Sequence, residues 1–220
     1  MSSLELELHA LKDNLCDMLL LVQNQLEKCK KAIEKKDVEL AEEVILTEKK
    51  VNVQEIAIDR DCENILALYT PVATDLRFVL ASLKITNDLE RIGDNAKSVA
   101  RFTKQYIQKL PPDIVKQYDL EGMLEVLIDM LKNMGEALQK SDTKLARKTT
   151  KKDELLNDHN KKAFKTTTRL VAEYPDDVKS LLKLFAVSRN LERAGDLTKN
   201  IAEEIIFHIE AKVLKHQKDK

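Results

Sequence analysis

The stretch Asp88-Leu89-Glu90-Arg91-Ile92-Gly93-Asp94-Asn95-Ala96-Lys97 returns as Asn190-Leu191-Glu192-Arg193-Ala194-Gly195-Asp196-Leu197-Thr198-Lys199, with six of ten positions identical at an offset of 102 residues. In each copy Glu and Asp stand four apart, so a helix sets both carboxylates on one face, a turn apart. Each copy also places a glycine inside a helical pattern, which costs about 1 kcal/mol relative to alanine. With only four glycines in the chain, that placement means either a close approach to the backbone or a helix that must stay slim. The chain carries a duplicated site, and 220 residues suit two similar halves.

Outward from the motif, apolar residues recur in steps of three and four. The first copy sits in the stripe Ile85, Leu89, Ile92, Ala96, Val99, the second in Leu184, Val187, Leu191, Ala194, Thr198, Ile201, Ile205. Four Gly, four Pro and no Trp among 34% charged residues fit an all-α protein of long helices, at least about 70% helical. A first helix is predicted from Ser2 or Ser3 to Glu34, and Asp37 caps a second that runs to Tyr69 with Leu40, Val44, Thr47 and Val51 inward. Thr70-Pro71 reads as cap plus first-turn proline of a third helix, to Lys109. Pro111-Pro112 is the only double breaker and marks the boundary between halves 1–110 and 113–220. A fourth helix spans Asp119 to Lys140, Ser141-Asp142 caps a fifth to Ala172, and Tyr174-Pro175-Asp176-Asp177 opens a sixth. The expected architecture is two tandem antiparallel three-helix bundles, with a frayed basic end from Lys212.

The net charge of −1 argues against nucleic acid as the main partner, because a phosphate-binding surface needs a basic excess. Cys16, Cys29 and Cys62 are odd in number and lack metal spacing; they read as reduced thiols of a cytoplasmic protein. The most apolar run, Met18 to Val22, is too short for a bilayer, and the acidic N-terminus lacks a cationic signal region. The chain reads as soluble, peripheral to a membrane at most.

Two acid-x-x-x-Asn pairs, Glu48 with Asn52 and Asp153 with Asn157, lie on the middle helices. In an antiparallel hairpin, residues equidistant from the turn share a height. Pairs centred on 50 and 92 are equidistant from Pro71, and pairs centred on 155 and 194 flank the turn beside Pro175. Each hairpin should therefore bring its acid/amide pair level with Glu90 and Asp94, or with Glu192 and Asp196. Heptad phase puts these carboxylates off the apolar seam, on the outer face of each bundle. Carboxylate and amide oxygens without His or Cys suit hard cations such as Mg²⁺, Mn²⁺, Ca²⁺ or ferric iron. The competing reading is a solvated face with i,i+3 ion pairs, Asp94 with Lys97 and Asp196 with Lys199. Glu55 and Asp59, and Asn200 and Glu203, continue the same faces and read as solvent rather than ligand. His9, His159, His208 and His216 share no spacing and read as surface residues.

These residues resemble the PhoU phosphate-signalling proteins. The resemblance is carried by Glu48-Lys-Lys-Val-Asn-Val-Gln-Glu-Ile-Ala-Ile-Asp59, by Pro71-Val-Ala-Thr-Asp75-Leu-Arg77 and by Leu89-Glu-Arg-Ile-Gly-Asp94, then again by Leu191-Glu-Arg-Ala-Gly-Asp196 and Asn200-Ile-Ala-Glu203. It implies two bundles related by a pseudo-twofold, surface iron or zinc sites held by the Glu/Asp-x-x-x-Asp motifs, and a homodimer. It also implies a non-enzymatic regulator that links a phosphate ABC transporter to a sensor histidine kinase and holds the starvation response off when phosphate is plentiful. Two departures stand out. Asn52 and Asn157 replace the family's usual acid, and Asp177-Val-Lys179 is all the second half offers against Asp75-Leu-Arg77. The alternative from another class is a ferritin-like di-iron oxidase or iron store, which requires inward carboxylates and Glu-x-x-His motifs. A dense apolar strip on the first helix, Leu15, Met18, Leu19 and Val22, adds an expectation of self-association.

Overall fold

The computed structural model describes residues 2–212, so the predicted frayed end lies almost wholly outside the described residues. The chain is 90% helical, with no strand among the described residues. Helix α1 (Ser3–Lys35) opens on a reciprocal capping box: the Ser2 hydroxyl accepts from the Glu5 amide, and the Glu5 carboxylate accepts from the Ser2 N–H. Lys36 in the left-handed region ends it, and the Asp37 carboxylate accepts from the Leu40 amide to start α2 (Val38–Tyr69).

The expected Thr70-Pro71 start of the third helix is displaced. Thr70 takes the left-handed conformation and closes α2, Pro71 is buried in the link, and α3 (Ala73–Tyr106) begins after Val72, which supplies no side-chain cap. A short α4 (Pro112–Lys116) uses the second proline at its first turn. Asp119 then caps α5 (Leu120–Lys140) through the Gly122 amide. The predicted fifth helix proves to be two, α6 (Thr143–Thr150) and α7 (Asp153–Glu173), divided at Lys151-Lys152. Thr149 and Thr150 turn their hydroxyls back onto the carbonyls of Leu145 and Arg147. After a 3₁₀ turn at Pro175–Asp177, α8 (Val178–Glu210) completes the chain.

Helices α1, α2 and α3 form one bundle, and α5, α6–α7 and α8 the other. The bundles meet through like elements, first helix on first (α1 on α5) and third on third (α3 on α8), which is the signature of a pseudo-twofold. Both contacts are antiparallel. Lys12 donates to the Gln139 carbonyl and Lys30 pairs with Glu125, while Arg77 reaches the His208 carbonyl and Lys84 reaches Glu204. Followed inward, the α3–α8 register brings residues 91 and 92 level with 193 and 194. The duplicated motif therefore sits on the pseudo-dyad.

A single buried apolar cluster runs through both bundles. It absorbs Leu15, Met18, Leu19 and Val22, each at most 2% exposed. The apolar strip on the first helix is thus buried within the chain and offers nothing to a second copy. Burying each such side chain contributes about 1.5–3 kcal/mol.

The two motif glycines have a packing reason. A Cβ on Gly93 would lie 3.3 Å from Val51 Cγ1 and from Gln25 Oε1, and one on Gly195 would overlap Leu156 Cδ1. Helices α2 and α7 approach the backbone of α3 and α8 at these points. Leu156 is fully buried, so it has little room to yield. Gly195→Ala is expected to destabilise by about 1–3 kcal/mol through overpacking, outweighing the roughly 1 kcal/mol that alanine gains in helix propensity. Gly93→Ala should cost less. Urea midpoints at unchanged slope measure both, and a Gly195→Ala protein as stable as wild type would show that Leu156 relaxes freely.

Candidate functional site

Glu48 lies mid-way along α2 at 6% exposure, its carboxylate drawn to α3. Lys97 Nζ stands 2.9 Å from Glu48 Oε1 and 3.8 Å from Asp94 Oδ1, and the Asn52 amide donates to the same Glu48 oxygen at 2.8 Å. Burial works against ionisation of Glu48, but Lys97 and Asn52 outweigh it and hold the carboxyl below its ordinary value. Glu90 is pushed up by burial and then by Asp94, Glu55 and Glu48. Glu55 is likewise raised by burial, then by Asp59 and Asp94. Glu48, Glu55, Glu90 and Asp94 thus form one electrostatic group with Asn52 and Lys97.

The second half repeats the arrangement more loosely. Asp153 is 3% exposed and stands in the first turn of α7, beside the helix break. Asn157 donates to it at 3.4 Å, and Lys199 lies 4.0 Å away. Burial and Asp196 raise the Asp153 carboxyl, with Lys199 and Asn157 opposing. Glu192 is raised by burial, Asp196 and Asp153. The hairpin heights read from the sequence therefore place all eight residues together as expected, four to each half.

Their setting differs from two separate outer faces. Because α3 and α8 cross at the motif, Asp94 and Asp196 line one polar groove of about 330 Å³ with Arg91, Arg193, Asn95 and Asn200. The exterior of one bundle is here the neighbour of the other. Lys97 and Lys199 are also closer to Glu48 and Asp153 than a simple i,i+3 pairing describes. Glu55, read as solvent-facing, joins the first group; its spacing of seven from Glu48 was the available signal. Asp59 is raised by burial and Glu63 rather than by this group. His208 is not a free surface residue. Its ring packs at 5.0 Å against Phe78, and burial with Lys12 and Arg77 lowers it to about 4. His216 lies outside the described residues.

The donor set suits a hard cation. Asn52 Oδ1 and Asp153 Oδ1 are buried oxygens without a hydrogen-bond partner. As arranged, however, no three His, Cys, Asp or Glu side chains among the described residues stand close enough to share an ion. Lys97 occupies the place beside Glu48 that a cation would take. Neither group includes a histidine, and both lie off the bundle seams, so the geometry does not favour the ferritin-like alternative.

Two three-helix repeats about a pseudo-dyad, with a Glu-x-x-x-Asp motif of each on the axis, define a class of duplicated helical-bundle proteins with carboxylate sites. The family model described as PhoU domain matches residues 15–103 and again 120–205. The phosphate-specific transport system accessory protein PhoU homolog of Aquifex aeolicus (strain VF5) is 33% identical over 211 residues, 96% of this chain and 95% of that one. The crystal structure of PhoU from Pseudomonas aeruginosa superposes with a TM-score of 0.88 at 30% identity, covering 94% of this chain and 99% of that one. The phosphate transport system regulatory protein PhoU from Streptococcus pneumoniae gives a TM-score of 0.83 at 25% identity, over 97% of this chain and 100% of that one. The chain belongs to the PhoU family. No helix among the described residues is long and apolar enough to cross a membrane.

Proposed function

We propose that the protein is a cytoplasmic, non-enzymatic regulator of phosphate homeostasis. It acts as an adaptor between a phosphate ABC transporter and a sensor histidine kinase, and it holds the phosphate-starvation response off when phosphate is plentiful. The observation that carries this reading is the near full-length match, in both repeats, to proteins named as accessory to phosphate-specific transport. The two carboxylate groups bind hard cations once Lys97 and Lys199 swing aside, and occupancy biases which arrangement of the groove the partners meet. Self-association into a homodimer belongs to the same reading, through a surface other than the α1 strip.

In cells lacking the protein, a reporter of the phosphate-starvation response should stay on in phosphate-rich medium, and the wild-type gene should switch it off. A reporter indifferent to the gene at both phosphate levels would remove the regulatory reading. Sedimentation at micromolar concentration tests the dimer, which a single 25.2 kDa species would exclude.

A further inference from the structure

The outward face of α2 carries an unpartnered patch that its counterpart on α7 lacks. Between 46 and 60, every exposed α2 residue is either apolar (Leu46, Val53, Ile56, Ala57) or cationic (Lys49, Lys50, Arg60). Leu46 is 54% exposed, and Val53 and Ile56 are each 67% exposed. None of the three cations has an ion-pair partner among the described residues, whereas Lys28, Lys30, Lys84, Lys97 and Lys104 all have one. The acids of this stretch turn the other way: Glu48 and Glu55 join the carboxylate group, and Asp59 is half-buried. At the matching positions α7 has Asp158 and Lys161, which neutralise each other at 3.2 Å.

A shallow, open hollow of about 470 Å³ lies along one flank of the patch, lined by Lys49, Lys50, Val53, Gln54, Ala57 and Ile58 of α2 and by Asn14 of α1. Its floor is held by Gln54 donating to the Asn14 carbonyl and Asn14 donating to Asp61. The apolar positions 46, 53, 56 and 57 follow helical spacing over about 16 Å, which is the footprint a docked helix leaves.

We propose that this face docks an amphipathic helix of a partner protein, one that presents an apolar stripe flanked by Asp or Glu. Charge complementarity selects the acidic helix: three cations without an ion-pair partner among the described residues flank the apolar row, and the exposed Glu43, which pairs with Lys28, and Glu63 lie beyond its two ends. A second copy pairing the same face across a twofold would set Lys49, Lys50 and Arg60 against themselves. The inference rests on the adaptor reading for the existence of a partner. Its test contains no phosphate component, so its failure leaves the regulatory reading standing.

The probe is a fluorescein-labelled 18-residue helical peptide with Leu at heptad a and d and Glu at e and g, titrated against the full chain by anisotropy. Val53→Ser with Ile56→Ser should weaken binding at least tenfold, and so should Lys49→Glu with Lys50→Glu. The positions are exposed, so circular dichroism should show helicity unchanged. A peptide with Lys in place of Glu should bind wild type poorly and bind Lys49→Glu/Lys50→Glu better than wild type. That reversal is the specific support. The proposal fails if neither pair of substitutions alters binding or if the charge exchange brings no reversal. Two results would reassign the face: flotation with phosphatidylglycerol vesicles lost in both variants, to a membrane; a wild-type dimer that Val53→Ser/Ile56→Ser makes monomeric, to a second copy.

Discussion

Lys97→Met is expected to destabilise the protein by about 2–3 kcal/mol at pH 7, somewhat below the usual cost of stranding one partner of a buried pair. Glu48 is 6% exposed. With Lys97 gone it loses its one cationic partner and keeps the Asn52 amide against the cost of burial. In the wild type the Glu48 carboxyl sits below its ordinary value of 4.5. Its contribution is therefore present above that value and lost as pH falls through the lower folded one. Without Lys97 the direction reverses. Burial then raises the folded value, so the penalty is full at neutral pH and fades as pH falls toward 4.5. The two proteins should converge in stability only below pH 4.5, where wild-type Glu48 is protonated as well, and Glu48→Gln combined with Lys97→Met should recover most of the loss. Urea denaturation at both pH values measures this. A loss below about 0.5 kcal/mol would class the pair with ordinary surface bridges.

The same lysine shows where sequence reading stops. The helix period, Asp37 and Asp142 as caps, and the duplicated motif were legible because each is a local signal. The level placement of Glu48 with Glu90 and of Asp153 with Glu192 was legible too, since an antiparallel hairpin converts sequence distance into height. Three features were not. The break at Lys151-Lys152 falls inside a continuous polar stretch where no apolar period reports it. The seating of α1 on α5 is a contact between repeats, and periodicity names a buried face without naming what covers it. The shared groove of Asp94 and Asp196 follows from the same inter-repeat packing. Lys97 could be assigned to Asp94 from spacing alone; that it also holds Glu48 depends on the α2–α3 approach at Gly93.

The strongest test of the carboxylate groups is charge removal read together with metal content. Burial and mutual repulsion raise Glu90, Asp153 and Glu192. For carboxyls with raised folded values, stability is greatest below the unfolded value and is lost as pH rises through the folded one. At neutral pH these groups weigh against the fold unless a cation neutralises them. In protein saturated with Mn²⁺ at about one hundred times its dissociation constant, each independent site should add about 2.7 kcal/mol of stability. Glu90→Asn with Asp94→Ser should halve bound metal by elemental analysis, and adding Glu192→Asn with Asp196→Ser should abolish it, with helicity intact because none of the four is a core residue. The metal-free fourfold variant should then match or exceed metal-free wild type in stability at pH 7, and should no longer respond to added cation. Lys97→Met should bind Mn²⁺ more tightly than wild type, because the competing ammonium is gone. If wild type binds no cation and melts alike with and without it, while the fourfold variant is simply more stable, the groups are screened charge held by Lys97 and Lys199. The groove would then act through Arg91 and Arg193 and the helix faces around them.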